Sequence, residues 1–344
     1  MLILLFVLII LLCLYRINYR LIGFNEDYLS KDKTNSIKGI FILMIVITHA
    51  LPYIERSSYG FDQVGDNVLM WLVRHLGQLV VVMFLFYSGF GVSESYKRKG
   101  QNYLKGFPKK RILTTLLNFD VAIMAFLLLG LFLGTPMTVK QVLLSFVGWD
   151  SLGNSNWYIF VILLCYSFSF IILRLPTNKT WCKVLFLFVL SFSVNVWLSQ
   201  EKGEWWYNTI MSYPMGFLYS SYKEPIERFL KKYYWLSVVV FLLLFVFIFR
   251  WPTDRLRLSF NALSTVFAML VVLLTMKASI NNLPLRWVGQ HLFPIYIYMR
   301  IPMIILENEQ PVLIANYPAI YIIICLVVTL VIARFYKHWQ IKFV

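Results

Sequence analysis

The sequence predicts an all-α fold: a polytopic integral membrane helical bundle of about eleven transmembrane helices, with a ten-helix core and one extra N-terminal helix. Hydrophobic residues make up 60% of the 344 residues and charged residues only 14%, whereas soluble domains carry about 25% charged residues. The mean hydropathy is +0.70. Most of the chain falls into apolar runs of about 18 to 22 residues, the length that crosses ~30 Å of hydrocarbon. Any chemistry is therefore expected among helices or in short loops.

Apolar windows and the polar breaks between them divide the chain into eleven predicted spans. They cover residues 2–15, 37–54, 69–92, 112–133, 157–175, 182–199, 205–222, 233–250, 258–276, 287–306 and 317–335. The first span lacks the basic n-region and cleavage site of a signal peptide, so residues 1–23 are interpreted as an uncleaved N-terminal anchor helix. Residues 37–335 form the helical core. No internal repeat is visible, and residues 1–344 are predicted to form a single membrane domain.

The basic residues orient these spans. If every second connection faces the cytoplasm, 24 of the 32 Lys and Arg residues lie on that side, although the loop at 250–257 is basic and placed outside. Positive charge concentrates in cytoplasmic connections. We therefore predict a multi-pass protein of the cell membrane, with its N-terminus outside and its C-terminus in the cytoplasm. The net charge of +16 has the same origin and does not indicate nucleic-acid binding.

The cysteines and histidines give no sign of a metal site. The four cysteines lie in or beside apolar runs and lack the close Cys/His spacing of a zinc site. The four histidines are scattered, and no acidic cluster supplies ligands for a hard metal ion. We expect no bound metal and no permanently bound cofactor.

Lys38 and His49 are the most informative ionisable pair, because such groups are costly inside a membrane span. They are eleven residues apart, which is almost three helical turns, so both side chains share one face about 16 Å apart. A cation is predicted at the cytoplasmic end of the helix and a titratable base in its outer half.

Five segments resemble, in order, motifs of the acyltransferase 3 family of membrane-bound O-acyltransferases. In the first, Lys38 to Ala50, a basic residue is followed eleven positions later by His. The others are the Phe-rich Ser-Gly-Phe segment at 84–93 and residues 109–113, 156–158 and 289–296, so the resemblance extends from residue 37 to about 306.

The chain departs from the family pattern at three places. The family often has Arg where this chain has Lys38, which keeps the charge but loses the bidentate fork. Its Arg-x-x-Arg pattern is incomplete here, because Arg111 is followed by Thr114. Its late Ile-Tyr segment commonly leads to a His, where this chain has Tyr298 and Arg300.

The resemblance implies transfer of an acyl group, usually acetyl from cytoplasmic acetyl-CoA as co-substrate, to a hydroxyl of a surface polysaccharide or a lipid-linked glycan. The implied catalytic residue is His49. A histidine can remove the proton of a sugar hydroxyl as it attacks a thioester. It can also form an acyl-His intermediate. The sequence leaves both routes open.

Basic residues near the cytoplasmic side are candidates for binding acetyl-CoA. Lys38, Lys110 and Arg111 could hold its phosphates through charge-assisted hydrogen bonds, as the resemblance implies. Positive charge in these positions is also what membrane topology alone requires. Arg111 is the preferred single residue among the loop cations.

Candidates for binding the acceptor lie towards the outer face: Arg74, His75, Trp157 and Arg300. Arg74 and His75 could equally be interface anchors. Arg300 could stabilise an oxyanion or neutralise a buried acid such as Asp120. Trp157 is preferred for holding a sugar among seven outer tryptophans, most of which an aromatic belt explains: Trp71, Trp149, Trp157, Trp197, Trp205, Trp206 and Trp251.

Two other functions fit the composition. A lipid-linked glycan flippase or other transporter would line its path with Arg74, Asp120 and Arg300. A glycan polymerase is the third possibility, although the predicted outer loops are short for one. Acetyl-CoA consumption separates the acyltransferase from both. The expected partners are acetyl-CoA, the glycan acceptor and the lipid bilayer.

Overall fold

The computed structural model of the chain describes residues 2–61, 63–250 and 259–343. The loop predicted at 250–257, with Trp251, Arg255 and Arg257, therefore lies largely outside the described residues, as does Val344. Most of the described chain is helical, which confirms the all-α prediction. The sequence did not predict the two short strands that pair near one end of the bundle.

The described residues form eighteen α-helices, separated by short turns. Their bounds are α1 Ile3–Leu14, α2 Lys31–Arg56, α3 Val64–Leu76, α4 Leu79–Lys99, α5 Gln101–Phe107, α6 Thr114–Phe132, α7 Val139–Phe146, α8 Trp157–Leu173, α9 Thr180–Glu201, α10 Ser212–Ser221, α11 Lys223–Lys232, α12 Tyr234–Arg250, α13 Ser259–Lys277, α14 Leu283–Gln290, α15 Leu292–Tyr298, α16 Arg300–Glu309, α17 Pro311–Asn316 and α18 Pro318–Phe335. A wide π-helical turn, Pro108–Leu113, joins α5 to α6, and 3-10 turns occupy Glu204–Trp206 and Tyr336–His338.

Eight of the predicted spans each correspond to one helix: α1, α2, α6, α8, α9, α12, α13 and α18. The other three are interrupted. The span predicted at 69–92 begins in α3 and continues into α4, and only the second half of 205–222 is helical, as α10. The span predicted at 287–306 is broken into the end of α14, α15 and most of α16.

Six helical segments of the described chain are long and apolar enough to cross a membrane. They are α2, α3 with α4, α5 with α6, α9, α13 and α18. A seventh span results if α11 and α12, which are bent by 97° to one another, count as one. The shorter apolar helices α1 and α8 have 12 and 17 residues. The structure thus supports a multi-pass membrane protein but does not confirm the count of eleven.

α2 is the central helix of the bundle. Of its apolar window, 72% is buried inside the protein, compared with 61% for α13 and at most 44% for the other long segments. Glycines allow close packing at two helix pairs. A Cβ on Gly289 of α14 would lie 1.8 Å from the carbonyl oxygen of Asn35 in α2, and one on Gly89 of α4 would lie 2.1 Å from that of Tyr213 in α10. Small residues permit such contacts between membrane helices.

The structure gathers the connections predicted on each side of the membrane at opposite ends of the bundle. At the predicted outer end, Arg56 pairs with Glu307 at 2.6 Å, and the backbone N–H of Leu2 donates to Asp66. At the predicted cytoplasmic end, α2 begins after Ser30, whose hydroxyl caps its first turn. There, Arg286 pairs with Asp32 at 2.8 Å.

Two strands close the predicted cytoplasmic end. β1, Ile17–Tyr19, pairs antiparallel with β2, Ala278–Ile280. Lys277, at the end of α13, is 5% exposed and donates to the carbonyl oxygens of Leu21 and Gly23. These hydrogen bonds satisfy the buried ammonium without a carboxylate and fix the segment between α1 and α2.

Candidate active site

His49 lies in the outer half of α2, seven residues before its end at Arg56. The preceding residues 40–47 are all apolar, and the hydroxyl of Thr48 donates to the carbonyl oxygen of Ile45 at 2.9 Å. The local sequence therefore presents His49 as the titratable group at this depth of the helix. Lys38 lies about 16 Å away on the same helix.

His49 contacts Arg300, the first residue of α16. Nη2 of Arg300 lies 3.1 Å from Nδ1 of His49. A guanidinium can only donate hydrogen bonds, so Nδ1 accepts. The imidazole is therefore neutral in this state, and its proton is on Nε2. The break between α15 and α16 places Arg300 at this depth, because the predicted span 287–306 does not continue as one helix.

Arg300 has a second partner and an unused donor. Its Nη1 donates to the carbonyl oxygen of Gly153 at 3.3 Å. Its Nε is buried and has no hydrogen-bond partner within the described parts of the chain. Unsatisfied buried donors are uncommon and indicate a place for another acceptor. Nε and Nη2 form one edge of the guanidinium fork, so an acceptor bound to Nε would lie beside the His49 ring.

The loop that carries Gly153 is held by its own asparagines. Asn156 donates through Nδ2 to the carbonyl oxygens of Gly148 and Asp150, at 3.0 and 2.9 Å. The side-chain oxygen of Asn154 accepts from the backbone N–H of Leu152 at 2.9 Å. These bonds fix the loop conformation and so position the Gly153 carbonyl against Arg300.

A group of cations lies towards the other end of α2. Lys38 is within electrostatic range of Lys31 and Arg111. Arg111 belongs to the wide turn between α5 and α6 and lies close to the hydroxyls of Tyr103 and Tyr166. Among the described residues, no carboxylate forms an ion pair with Lys38 or Arg111. A wide turn of this kind often marks a functional site, and unpaired cations attract an anion.

Lys110 does not join this group. Its neighbour in sequence, Arg111, is partly buried, whereas Lys110 is exposed on the outside of the wide turn. The structure thus brings together two of the three cations predicted to bind acetyl-CoA. Lys31, which the sequence did not single out, is the third cation of the group.

Arg74, His75 and Trp157 have no contact with His49. Arg74 and His75 are exposed near the end of α3. His75 stacks on Trp71 with ring centroids 4.2 Å apart, and its Nδ1 lies 2.7 Å from the Trp71 carbonyl oxygen. Trp157 begins α8 and is only 9% exposed within the hydrophobic core. Roles for these residues in binding substrate stay predictions.

Asp120 does not neutralise Arg300. No ion pair joins them in the part of the chain that the structure describes, and Oδ1 of Asp120 is buried without a hydrogen-bond partner there. Of the two roles predicted for Arg300, pairing with this acid is therefore not observed. Among the same residues, no three His, Cys, Asp or Glu side chains lie close enough to hold a metal ion.

A family model described as an acyltransferase domain, acyltransferase 3, matches residues 33–336. The chain belongs to the acyltransferase 3 family. The match confirms the family indicated by the five motif segments, all of which lie inside it. No curated protein and no solved structure gives a significant match. The acyltransferase 3 match and the apolar helices together identify a multi-pass membrane acyltransferase.

Sequence reasoning missed two features of this acyltransferase 3 site. The first is the contact between His49 and Arg300, which joins residues 251 positions apart. The second is the hydrogen bond that the Gly153 carbonyl oxygen accepts from Arg300. A backbone carbonyl has no residue type that could signal it, and its position depends on the loop that Asn156 holds.

Proposed function

We propose that this membrane acyltransferase moves an acetyl group from cytoplasmic acetyl-CoA to a hydroxyl of a surface polysaccharide or its lipid-linked precursor. The observation that carries the proposal is the arrangement on α2. His49, paired with Arg300, lies in one half of the helix, and Lys38, beside Arg111, lies towards the other end. One helix thus joins a group that can move a proton to cations that can hold a phosphate.

Acetyl-CoA is proposed to bind at the Lys38 end. A cavity of about 620 Å³ opens there, between the start of α2 and the segment that follows β2. Lys31, Lys33 and Arg286 are among its lining residues. Lys33 and Arg286 face Asp27 and Asp32, whereas Lys31 has no ion pair among the described residues and lies within electrostatic range of Lys38. Lys31, Lys38 and Arg111 are therefore the cations proposed to hold the phosphates of the donor. The thioester would then extend along α2 towards His49.

The reaction needs a base and a donor for the carbonyl oxygen. The acceptor hydroxyl oxygen bonds to the thioester carbonyl carbon, the carbon–sulfur bond breaks, and the hydroxyl proton passes through His49 to the departing sulfur. Nε of Arg300 is positioned to donate to the carbonyl oxygen as negative charge develops on it. His49 can take the proton at Nδ1 once the Nη2 hydrogen bond turns from Nδ1 to the same oxygen.

A two-step route uses the same residues. An imidazole nitrogen first forms a bond to the acetyl carbon as the carbon–sulfur bond breaks, and the ring proton passes to the departing sulfur. The acceptor oxygen then displaces the imidazole, which takes up the hydroxyl proton. The two routes differ in one measurable product. If protein incubated with acetyl-CoA but no acceptor gains one acetyl group on the peptide that contains His49, the two-step route is supported.

Acetyl-CoA turnover in nanodiscs tests the function. Purified protein is given acetyl-CoA with surface polysaccharide stripped of its esters or, separately, with the lipid-linked precursor. Release of the CoA thiol and formation of a glycan ester are expected with at least one acceptor. Arg300→Gln should lower kcat by about 10²- to 10³-fold, whereas Arg56→Gln, at the same end of the bundle, should not. A transporter or polymerase would release no CoA thiol, and that result would reject the proposal.

A further inference from the structure

An open cleft of about 500 Å³ lies at the predicted outer end, between the loop after α7 and the turn after α9. Both connections are rich in tryptophan, which the sequence attributes mostly to an aromatic belt. The residues that line the cleft combine indole rings with carboxylates, an amide and an ammonium: Trp149, Asp150, Asn156, Glu201, Lys202 and Trp205.

Lys202 ties the two walls of the cleft together. Its ammonium donates to the carbonyl oxygen of Trp149 at 2.8 Å and lies 3.9 Å from the centroid of the Trp149 ring. It also lies 4.6 Å from the ring centroid of Trp206. Partial burial lowers the pKa of Lys202, against the opposing effect of Asp150 and Glu201. An ammonium has three donors, of which the Trp149 carbonyl oxygen takes one.

Two indole rings of the cleft are packed against the protein, and a third is open. Trp149 stacks on Trp197 with centroids 5.3 Å apart and an interplanar angle of 23°, and Trp206 is 5% exposed. Trp205 is 55% exposed. A lipid-facing belt requires no particular partners for the exposed ring, whereas Trp205 shares its cleft with Asp150, Glu201 and Lys202. The mixture of an open indole with Asp150 and Glu201 is typical of a site for a polar ligand with an apolar face.

The cleft is connected to the His49 site by one loop. Trp149 and Asp150 line the cleft, and Gly153 in the same loop accepts the hydrogen bond of Arg300. Trp149 and Gly153 are four positions apart in the chain, so their backbones are at most about 14 Å apart. The cleft and the Arg300 site therefore share one short loop.

We infer that this cleft binds the saccharide chain of the acceptor. The inference rests on the proposed function and adds the place where the acceptor is held. A saccharide has apolar ring faces that can cover Trp205, and hydroxyls that can both donate to Glu201 or Asp150 and accept from Lys202. A simple anion would be repelled by the two carboxylates, and a simple cation would leave the indole faces unused. A small number of polar groups around an aromatic surface is characteristic of small-molecule sites.

Binding in the absence of acetyl-CoA tests the cleft separately from catalysis. The probe is the surface polysaccharide of the cells that make the protein, stripped of esters with mild alkali and hydrolysed to short fragments. Saturation-transfer NMR and titration calorimetry with protein in nanodiscs should detect binding. Trp205→Ala and Glu201→Gln should each weaken it at least tenfold, and Trp205→Phe, which keeps a flat ring, should restore most of it.

Two matched variants control for loss of structure. Trp181→Ala removes an equally exposed tryptophan, 56% exposed, from the other end of α9, and Glu204→Gln removes an exposed carboxylate that does not line the cleft. Both should bind the fragments like the wild type. Failure of the wild type to bind, or equal binding by Trp205→Ala and Glu201→Gln, would overturn the inference. Normal binding without acetyl transfer would instead reject the proposed function and leave the cleft in place.

Discussion

At the scale of single residues, the Arg300 hydrogen bond determines the state of His49. Because the guanidinium donates to Nδ1, the neutral ring carries its proton on Nε2. A proton can be taken up at Nδ1 only when that hydrogen bond moves to another acceptor. Arrival of a thioester carbonyl oxygen supplies such an acceptor, so substrate binding itself would activate the base.

Replacing His49 by Asn separates its chemical role from its structural one. The Asn amide oxygen can still accept from Arg300, but it cannot carry a proton at neutral pH. We expect His49→Asn and His49→Ala both to lower kcat by about 10²- to 10⁴-fold, measured as CoA thiol release. His49→Asn should remain as abundant in the membrane as the wild type. Normal turnover by this variant would make His49 a packing residue.

Lys38 is expected to act in binding acetyl-CoA. Removing its charge in Lys38→Gln should raise the KM for acetyl-CoA while kcat changes little, because a phosphate contact is lost. Lys38→Arg should retain much of the activity, since the charge is kept. Titration of acetyl-CoA with purified protein measures both.

Lys110→Gln is the control for Lys38→Gln, because Lys110 is exposed and outside the cation group. It removes the same charge at the same end of the bundle. Its KM should stay close to that of the wild type. If Lys38→Gln has an unchanged KM with normal insertion, Lys38 is an interface anchor, and the donor site would centre on Arg111.

The sequence predicts candidate residues better than it predicts their contacts. Lys38 and His49 lie on one helix, so their spacing alone places them on one face. The partner of His49 is 251 positions away, and no local pattern reports such a distance. Asn154 and Asn156, which precede Trp157, suggest a polar site beside it, but these asparagines bond the loop backbone and Trp157 is buried. Exposure depends on tertiary packing, which leaves Trp71 and Trp205 open while Trp157 is buried.

At the scale of helices, apolar length predicts where a helix lies but not where it breaks. The predicted span 287–306 is uniform enough in hydropathy to be taken as one helix. It nevertheless contains the end of α14, all of α15 and most of α16. The hydropathy of the sequence likewise does not indicate the wide turn that carries Arg111. Such breaks are decided by packing against neighbouring helices, and both candidate site arginines, Arg111 and Arg300, lie at or beside one.

The contact between α4 and α10 gives a prediction about stability. A Cβ on Gly89 would lie 2.1 Å from the Tyr213 carbonyl oxygen, so Gly89→Ala must push the two helices apart. Overpacking of this kind costs about 1 to 3 kcal/mol. We expect a lower Tm for detergent-solubilised Gly89→Ala than for the wild type.

Gly91 provides a matched control on the same helix. No atom lies within 4 Å of a Cβ built on Gly91, so Gly91→Ala should leave Tm unchanged or raise it slightly through better helix propensity. Equal Tm values for the two variants would show that the α4–α10 contact relaxes without cost.

At the scale of the whole molecule, the gathering of loops at two ends predicts a membrane orientation. The end that contains the start of α2 also contains most of the basic connections, so it should face the cytoplasm. Reporter fusions placed after Asn35, Lys105 and Val344 should all be cytoplasmic. An external signal from the fusion after Val344 would change the number of spans by one.

Synthesis of the protein from its N-terminus leaves β1 unpaired until β2 has been translated. Lys277 reaches back 256 positions to the Leu21 carbonyl oxygen, so the segment that leads into α2 is fixed late. Because of such long-range contacts, a chain whose synthesis is incomplete remains partly open. Chains that stop before Ala278 would lack the closure beside Lys31 and Lys33. This end of the bundle would therefore close only after α13 and β2 have been translated, although the start of α2 beside it is made early.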